Sequence, residues 1–145
     1  VPDDAADRRS DVFFYGLYMD PEVLVGQGVE PCRPRPAAVN DHVLRIGKQA
    51  TLVPCHHEQA FGMVYSLTQS EVNSLYGRPG LEGYRAEPML ARLIEGGVVP
   101  ALSYILSKSP PEDEEANCEY ARALRAVMIR LGLPTPPEAP PCTTS

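Results

Sequence analysis

No stretch of this chain stays apolar long enough to cross a bilayer as a helix, which takes about 20 such residues. No run of Lys and Arg exceeds two, and 19 Asp and Glu outweigh 13 Lys and Arg to give a net charge of −6. A nucleic-acid binder presents a basic stripe, so nucleic acid is set aside as a partner, and an anionic membrane surface with it. The N-terminal VPDDAADRRS has no apolar core of the signal-peptide kind, which points to a cytoplasmic location. The cysteines lack pattern too. Cys32, Cys55, Cys118 and Cys142 form no C-x-x-C pair, so neither a disulfide scaffold nor a zinc site is expected, and reduced thiols are.

What is present is ordinary for a folded domain: 145 residues, 43% hydrophobic and 22% charged. Residues 1–10 read as a flexible polar tail, 11–133 as a single domain, and 134–145 (PTPPEAPPCTTS) as a proline-rich disordered tail. The apolar run at 11–15 predicts a buried strand. Asp20-Pro21-Glu22 then supplies a helix cap, a first-turn proline and a favourable charge, and Gly26 and Gly28 end that helix early. Three prolines in 31–36 predict a loop. Strands are expected over 37–46, 50–53 and 60–67, with a turn at Gly47-Lys48 and a polar loop PCHHEQ between the last two.

Thr68-x-x-Glu71 is a capping box for a short helix with Val72, Leu75 and Tyr76 on its apolar face. Two further strands, 84–93 and 98–106, flank a Glu95-Gly96-Gly97 hairpin turn. Ser109-Pro-Pro-Glu112 reads as the cap of a last helix, whose Tyr120, Leu124, Val127, Met128 and Leu131 form one packed stripe before Gly132. Hairpin-ordered strands with few, short helices predict an α+β fold: a mixed, barrel-like sheet of about six strands with short flanking helices and a C-terminal helix.

Chemistry is sparse. Gly16 ends an apolar strand before a tight turn, where glycine permits a positive φ. Either the amides of residues 16–19 form a cradle for a carbonyl or carboxylate oxygen, or the turn only finishes the fold. In Cys55-His56-His57-Glu58, adjacent side chains of an extended chain point to opposite sides, so a solvated loop is expected rather than a metal site. Among the carboxylates, Glu71 is consumed by its capping box. Glu82 and Glu87 flank Tyr84-Arg85 after a glycine-rich bend, where Glu82 reads either as a general base or as a surface acid. Tyr84 reads as a pocket wall or as a core strand residue. Ser103, Cys55 and His42 form no nucleophile arrangement.

In order along the chain, FFYGLYM (13–19), LRIGKQATLVP (44–54), FGMVY (61–65), Leu75-Tyr76, Gly83-Tyr84-Arg85 and LGLP (131–134) resemble the γ-glutamylcyclotransferase-like superfamily. The resemblance implies a small mixed β-barrel with a γ-glutamyl site lined by Tyr15, Gly16, Leu17, Tyr18, Met19 and Tyr84. It also implies cyclisation of a γ-glutamyl amine to 5-oxoproline with release of the amine. A glutamate base takes a proton from the α-ammonium, the freed nitrogen attacks the γ-carbonyl, and loop amides bind the oxyanion. No metal or cofactor is called for; the partner is a small molecule of γ-glutamyl or carboxylate character, and a homodimer is compatible. The sequence departs from the family pattern twice. Leu17 stands where a small hydroxyl residue is expected, and in YGRPGLEG the positions matching the base by spacing are Gly77, Arg78 and Pro79, which leaves Glu82 as the sole carboxylate. Two alternatives follow: a non-catalytic binder of a small carboxylate or amino-acid-like ligand, or a different reaction in the same cavity, with Arg45 and Lys48 supplying positive charge.

Overall fold

The structure is a computed structural model and describes residues 9–47, 49–77, 79, 81, 83–108 and 117–134. Strand β1 is Arg9–Phe14, and a 3-10 turn over Leu17–Met19 leads into helix α1, Pro21–Gly26. Strands β2 (Cys32–Ile46) and β3 (Ala50–Thr68) follow, then α2 (Gln69–Tyr76), β4 (Tyr84–Leu93), β5 (Val98–Leu106) and α3 (Cys118–Leu131). The strands close a barrel in the order β1-β3-β2-β4-β5. Neighbours pair antiparallel except β1 and β5, which meet in parallel at Val12 and Leu102. The sheet is therefore mixed, and with its helices the fold is α+β, as expected.

The described strands number five rather than about six, because the strands expected over 50–53 and 60–67 are one. PCHHEQ is not a loop: it continues β3, and its solvated side chains are those of a ribbon wet on both faces. The ribbon bends where Asp41 and His57 adopt φ of 60° and 69°, beside a register shift between Asn40 and His42. The proline loop expected over 31–36 is likewise corrected, since β2 starts at Cys32. Its pairing with β4 is described only from Ala37 on, so Pro34 and Pro36 lie where a missing N–H costs no second ladder. Strand β1 starts at Arg9, two residues ahead of the expected strand, pairing Arg9 with Thr68. The expected cap at Ser109–Glu112 and the tails at 1–8 and 135–145 lie outside the described residues.

Strict alternation between two buried faces explains why β1 is apolar at every position from Val12 to Phe14. Val12 and Phe14 join Leu24, Val72, Leu75, Leu124, Val127 and Met128 in the core under the helices. Phe13 and Tyr15 point the other way, into a core built chiefly of strand residues, the barrel interior, against which Tyr120 of α3 packs. Small side chains (Ala37, Ala50, Ala60, Ala91, Ala101) keep that interior narrow enough for five strands. Each fully buried Leu of the helix-side core contributes ~1.5–3 kcal/mol.

The caps of α1 and α2 form as read from the sequence. Asp20 Oδ1 accepts the Glu22 amide, and Thr68 and Glu71 exchange both capping-box bonds. Helix α3, as described, is capped by Asn117 and closed by Gly132 in the left-handed conformation. Buried Asp20 also pairs through Oδ2 with Arg130 near the end of α3. One carboxylate thus caps α1 and ties it to α3, fixing the turn over 17–19 between β1 and the C-terminal helix.

Candidate functional site

The turn after β1 is set by local bonds: the Met19 amide donates to Gly16 O at 2.9 Å and the Asp20 amide to Leu17 O at 3.1 Å. Gly16 has φ −112°, so the expected positive φ is not why glycine stands here. Space is the reason. A Cβ on Gly16 would lie 2.2 Å from Tyr120 Oη, well inside any real contact. The same hydroxyl accepts the Leu17 amide at 3.0 Å, joining residues 103 positions apart. Of the amides in the proposed cradle, Leu17's therefore meets α3 and Met19's closes the turn.

The chain's aromatic content gathers around this turn. Tyr15 Oη donates to Tyr104 O at 2.6 Å, and Tyr84 Oη to Ala50 O at 2.5 Å. Tyr65 Oη donates to Met19 O at 2.7 Å. The Tyr76 ring stacks on Tyr104 with centroids 4.1 Å apart, and stands edge-on to Tyr18 at 5.8 Å and tilted to Tyr84 at 6.0 Å. Tyr18, Tyr76, Tyr84, Tyr104 and Tyr120 are each only partly buried.

Burial is the main cause that raises phenol pKa values here. It pushes Tyr65 up to about 12, helped by the Asp20 charge. It holds Tyr15, Tyr76 and Tyr84 well above the ordinary value, reinforced by the neighbouring phenols of this tyrosine group. Tyr104 is raised by burial alone. Tyr120 is raised by burial against the lowering effect of the Leu17 amide. At neutral pH these groups are uncharged phenols, able to donate.

Of the residues expected at the site, Tyr15, Gly16, Leu17, Tyr18 and Tyr84 are brought together. Met19 is placed differently: its side chain is 0% exposed within the helix-side core, and its carbonyl takes the Tyr65 bond. Glu82, with Arg78 and Lys48, lies outside the described residues. Glu71 is committed, as expected. Burial opposes its charge, but the Thr68 and Glu30 amides, the Thr68 hydroxyl and Arg9 together hold its pKa below the ordinary carboxylate value. Glu87 pairs with Arg85 at 3.5 Å on the partly exposed part of β4. Arg45 sits on β2 opposite Thr51. Buried Ser103 donates to Phe13 O and serves the barrel.

The His56 and His57 rings do not point apart as an extended chain would have them. The positive φ at His57 breaks the alternation and brings their centroids to 3.9 Å. A polar cavity of about 280 Å³ lies at that bend, lined by Asn40, Asp41, His57, Glu58, Gln59 and Arg92 and by none of the turn residues. Among the described residues, no three His, Cys, Asp or Glu side chains are grouped so as to hold a metal ion.

Sequence reasoning missed Tyr65, Tyr104 and Tyr120 as parts of this site, treating Tyr120 as one more apolar contact of the helix stripe. A compositional signal was available: seven Tyr against three Phe and no Trp. A core built for bulk alone has no need of so many hydroxyls.

No family model and no curated protein matches the chain. Solved structures do. A γ-glutamyl cyclotransferase superposes with TM-score 0.70 at 19% identity, over 88% of this chain and 82% of that one. An uncharacterized human protein gives 0.71 at 18% identity, over 95% and 94%. An AIG2-like protein from mouse gives 0.59 at 14% identity, over 76% and 86%. At these identities the likeness is one of fold.

Proposed function

From the γ-glutamylcyclotransferase-like fold of this chain, we propose that it binds the γ-glutamyl group of a small amide at the turn 15–19 and cyclises it to 5-oxoproline. The reading rests chiefly on the pairing of Leu17 N–H with Tyr120 Oη, beside a glycine that leaves no room for a Cβ. The Tyr120 oxygen is used as an acceptor, and its own proton has no hydrogen-bonded acceptor among the described residues. A neutral phenol oriented in this way donates to the oxygen of a tetrahedral intermediate, in a site whose aromatic walls strengthen the interaction.

In this reaction Glu82 takes a proton from the substrate α-ammonium. The α-nitrogen bonds to the γ-carbonyl carbon and gives up a second proton as the C–N bond to the departing amine breaks, and both protons leave with that amine as its ammonium. The attack is intramolecular, so holding the γ-glutamyl chain folded supplies much of the rate. The test is 5-oxoproline release from γ-glutamyl amines. Glu82→Gln should lose ~100- to 10,000-fold, and Tyr120→Phe ~100- to 1,000-fold, as for one oxyanion donor. No 5-oxoproline above blank with any γ-glutamyl amine overturns the reaction.

A second reading, a binder without turnover, is favoured by one observation: Asp20, Glu71 and Glu87 are each engaged by other partners. It predicts calorimetric binding of a γ-glutamyl amide that is unaffected by Glu82→Gln and abolished by Gly16→Val.

A further inference from the structure

Beyond the γ-glutamyl group, any ligand at this turn meets tyrosines. All seven of the chain's tyrosines contact one another or the turn through rings or hydroxyls within this one region, Tyr65 by holding the Met19 carbonyl. Tyr15 and Tyr84 donate their hydroxyls to backbone carbonyls, and the Tyr120 oxygen accepts the Leu17 amide. The Tyr76 and Tyr104 hydroxyls make no hydrogen bond among the described residues, so these two residues act there through their rings. Among the described residues, no Arg, Lys, Asp or Glu side chain pairs with either of them.

The arrangement of the rings distinguishes between ligands. A cage for a cation turns several aromatic faces towards one empty point. Here Tyr76 lies nearly parallel to Tyr104, with 13° between planes, and meets Tyr18 at 88°. Tyr76 and Tyr104 face each other as in a stack with Tyr18 edge-on beside it, and a stack is extended by another flat ring. Both stacked tyrosines keep part of their surface open. Tyr76 ends α2 and Tyr104 lies on β5, so the pair is held by two separate elements beside Tyr18 of the turn.

We infer that Tyr76 and Tyr104 form a specificity wall that selects γ-glutamyl conjugates of aromatic amines, the aryl ring adding to the stack while the γ-glutamyl group occupies the turn. This rests on the reading of the turn as a γ-glutamyl site. Tyr76 and Tyr104 are specificity residues in this scheme and take no part in proton transfer.

The test uses three synthetic probes with a common γ-glutamyl head: the phenethylamide, its saturated cyclohexylethylamide counterpart, and a trimethylammonioethyl amide. Calorimetry on the whole chain should find the phenethylamide ~5- to 10-fold tighter than the cyclohexyl probe, as expected for one stacking contact. Tyr76→Phe, which keeps the ring, should retain that ratio. Tyr76→Leu should bring it to one, at a melting temperature that shows the variant folded. Equal binding of the two ring probes, or tightest binding of the cationic one, overturns the wall. Binding of none of the three overturns both the wall and the γ-glutamyl reading. Selective aryl binding without 5-oxoproline supports the wall and removes only the reaction.

Discussion

Gly16 and Tyr120 form a matched pair. The hydroxyl reaches the Leu17 amide only because residue 16 has no Cβ, and the glycine is needed only because the hydroxyl is there. Tyr120→Phe removes the partner of a partly buried N–H and should cost ~1–3 kcal/mol in urea unfolding. Gly16→Ala should cost at least as much in the parent, since a Cβ meets Oη at 2.2 Å. In the Tyr120→Phe background the next contact is Cζ at 3.5 Å, so the second substitution should cost far less. A double-mutant cycle measures the coupling; additive costs would show that the two residues do not share this space.

At the scale of elements, the capping box of α2 links three segments through one carboxylate. Glu71 accepts the Thr68 and Glu30 amides and lies 3.9 Å from Arg9 of β1. Its pKa in the folded protein is lowered despite partial burial, so its contribution to stability is present above the ordinary value of 4.5. That contribution fades as pH falls through the lower, folded-state value. Glu71→Gln should therefore be less stable than the parent at pH 7, and the two melting curves should converge under acid. A constant difference down to the acid transition would mean that the box acts by shape and not by charge. This element was legible in the sequence because a capping box is purely local. The ribbon β2–β3 was not. Its polar PCHHEQ reads as a loop to any rule that expects strands to have an apolar face, and only pairing with β2 holds it extended.

At the scale of the whole molecule, closure of the barrel depends on β1 lying close over β3. A Cβ on Gly62 would come within 2.1 Å of the Phe14 carbonyl, so Gly62→Ala should destabilise at or above the usual ~1–3 kcal/mol of overpacking, measured by urea midpoint. The gathered tyrosines give the molecule an alkaline limit. The folded-state pKa values of Tyr15, Tyr65, Tyr76, Tyr84, Tyr104 and Tyr120 are raised above 10, so their stabilising contribution is complete below pH 10 and is lost as pH climbs towards those values. Absorbance at 295 nm should show little phenolate before unfolding begins above pH 10, then a cooperative rise; independent titration near pH 10 without unfolding would contradict the packing described. Sequence alone determined what short-range chemistry determines: the limits of β4 and β5 with their Gly-Gly turn, the caps at Asp20 and Thr68, the stripe of α3, and the α+β class. Tertiary structure decided the number of strands, the parallel seam that closes the barrel, and the meeting of Tyr120 with Leu17. Those contacts join residues far apart in the chain, and a hydrogen bond across 103 positions leaves no local period or spacing to read.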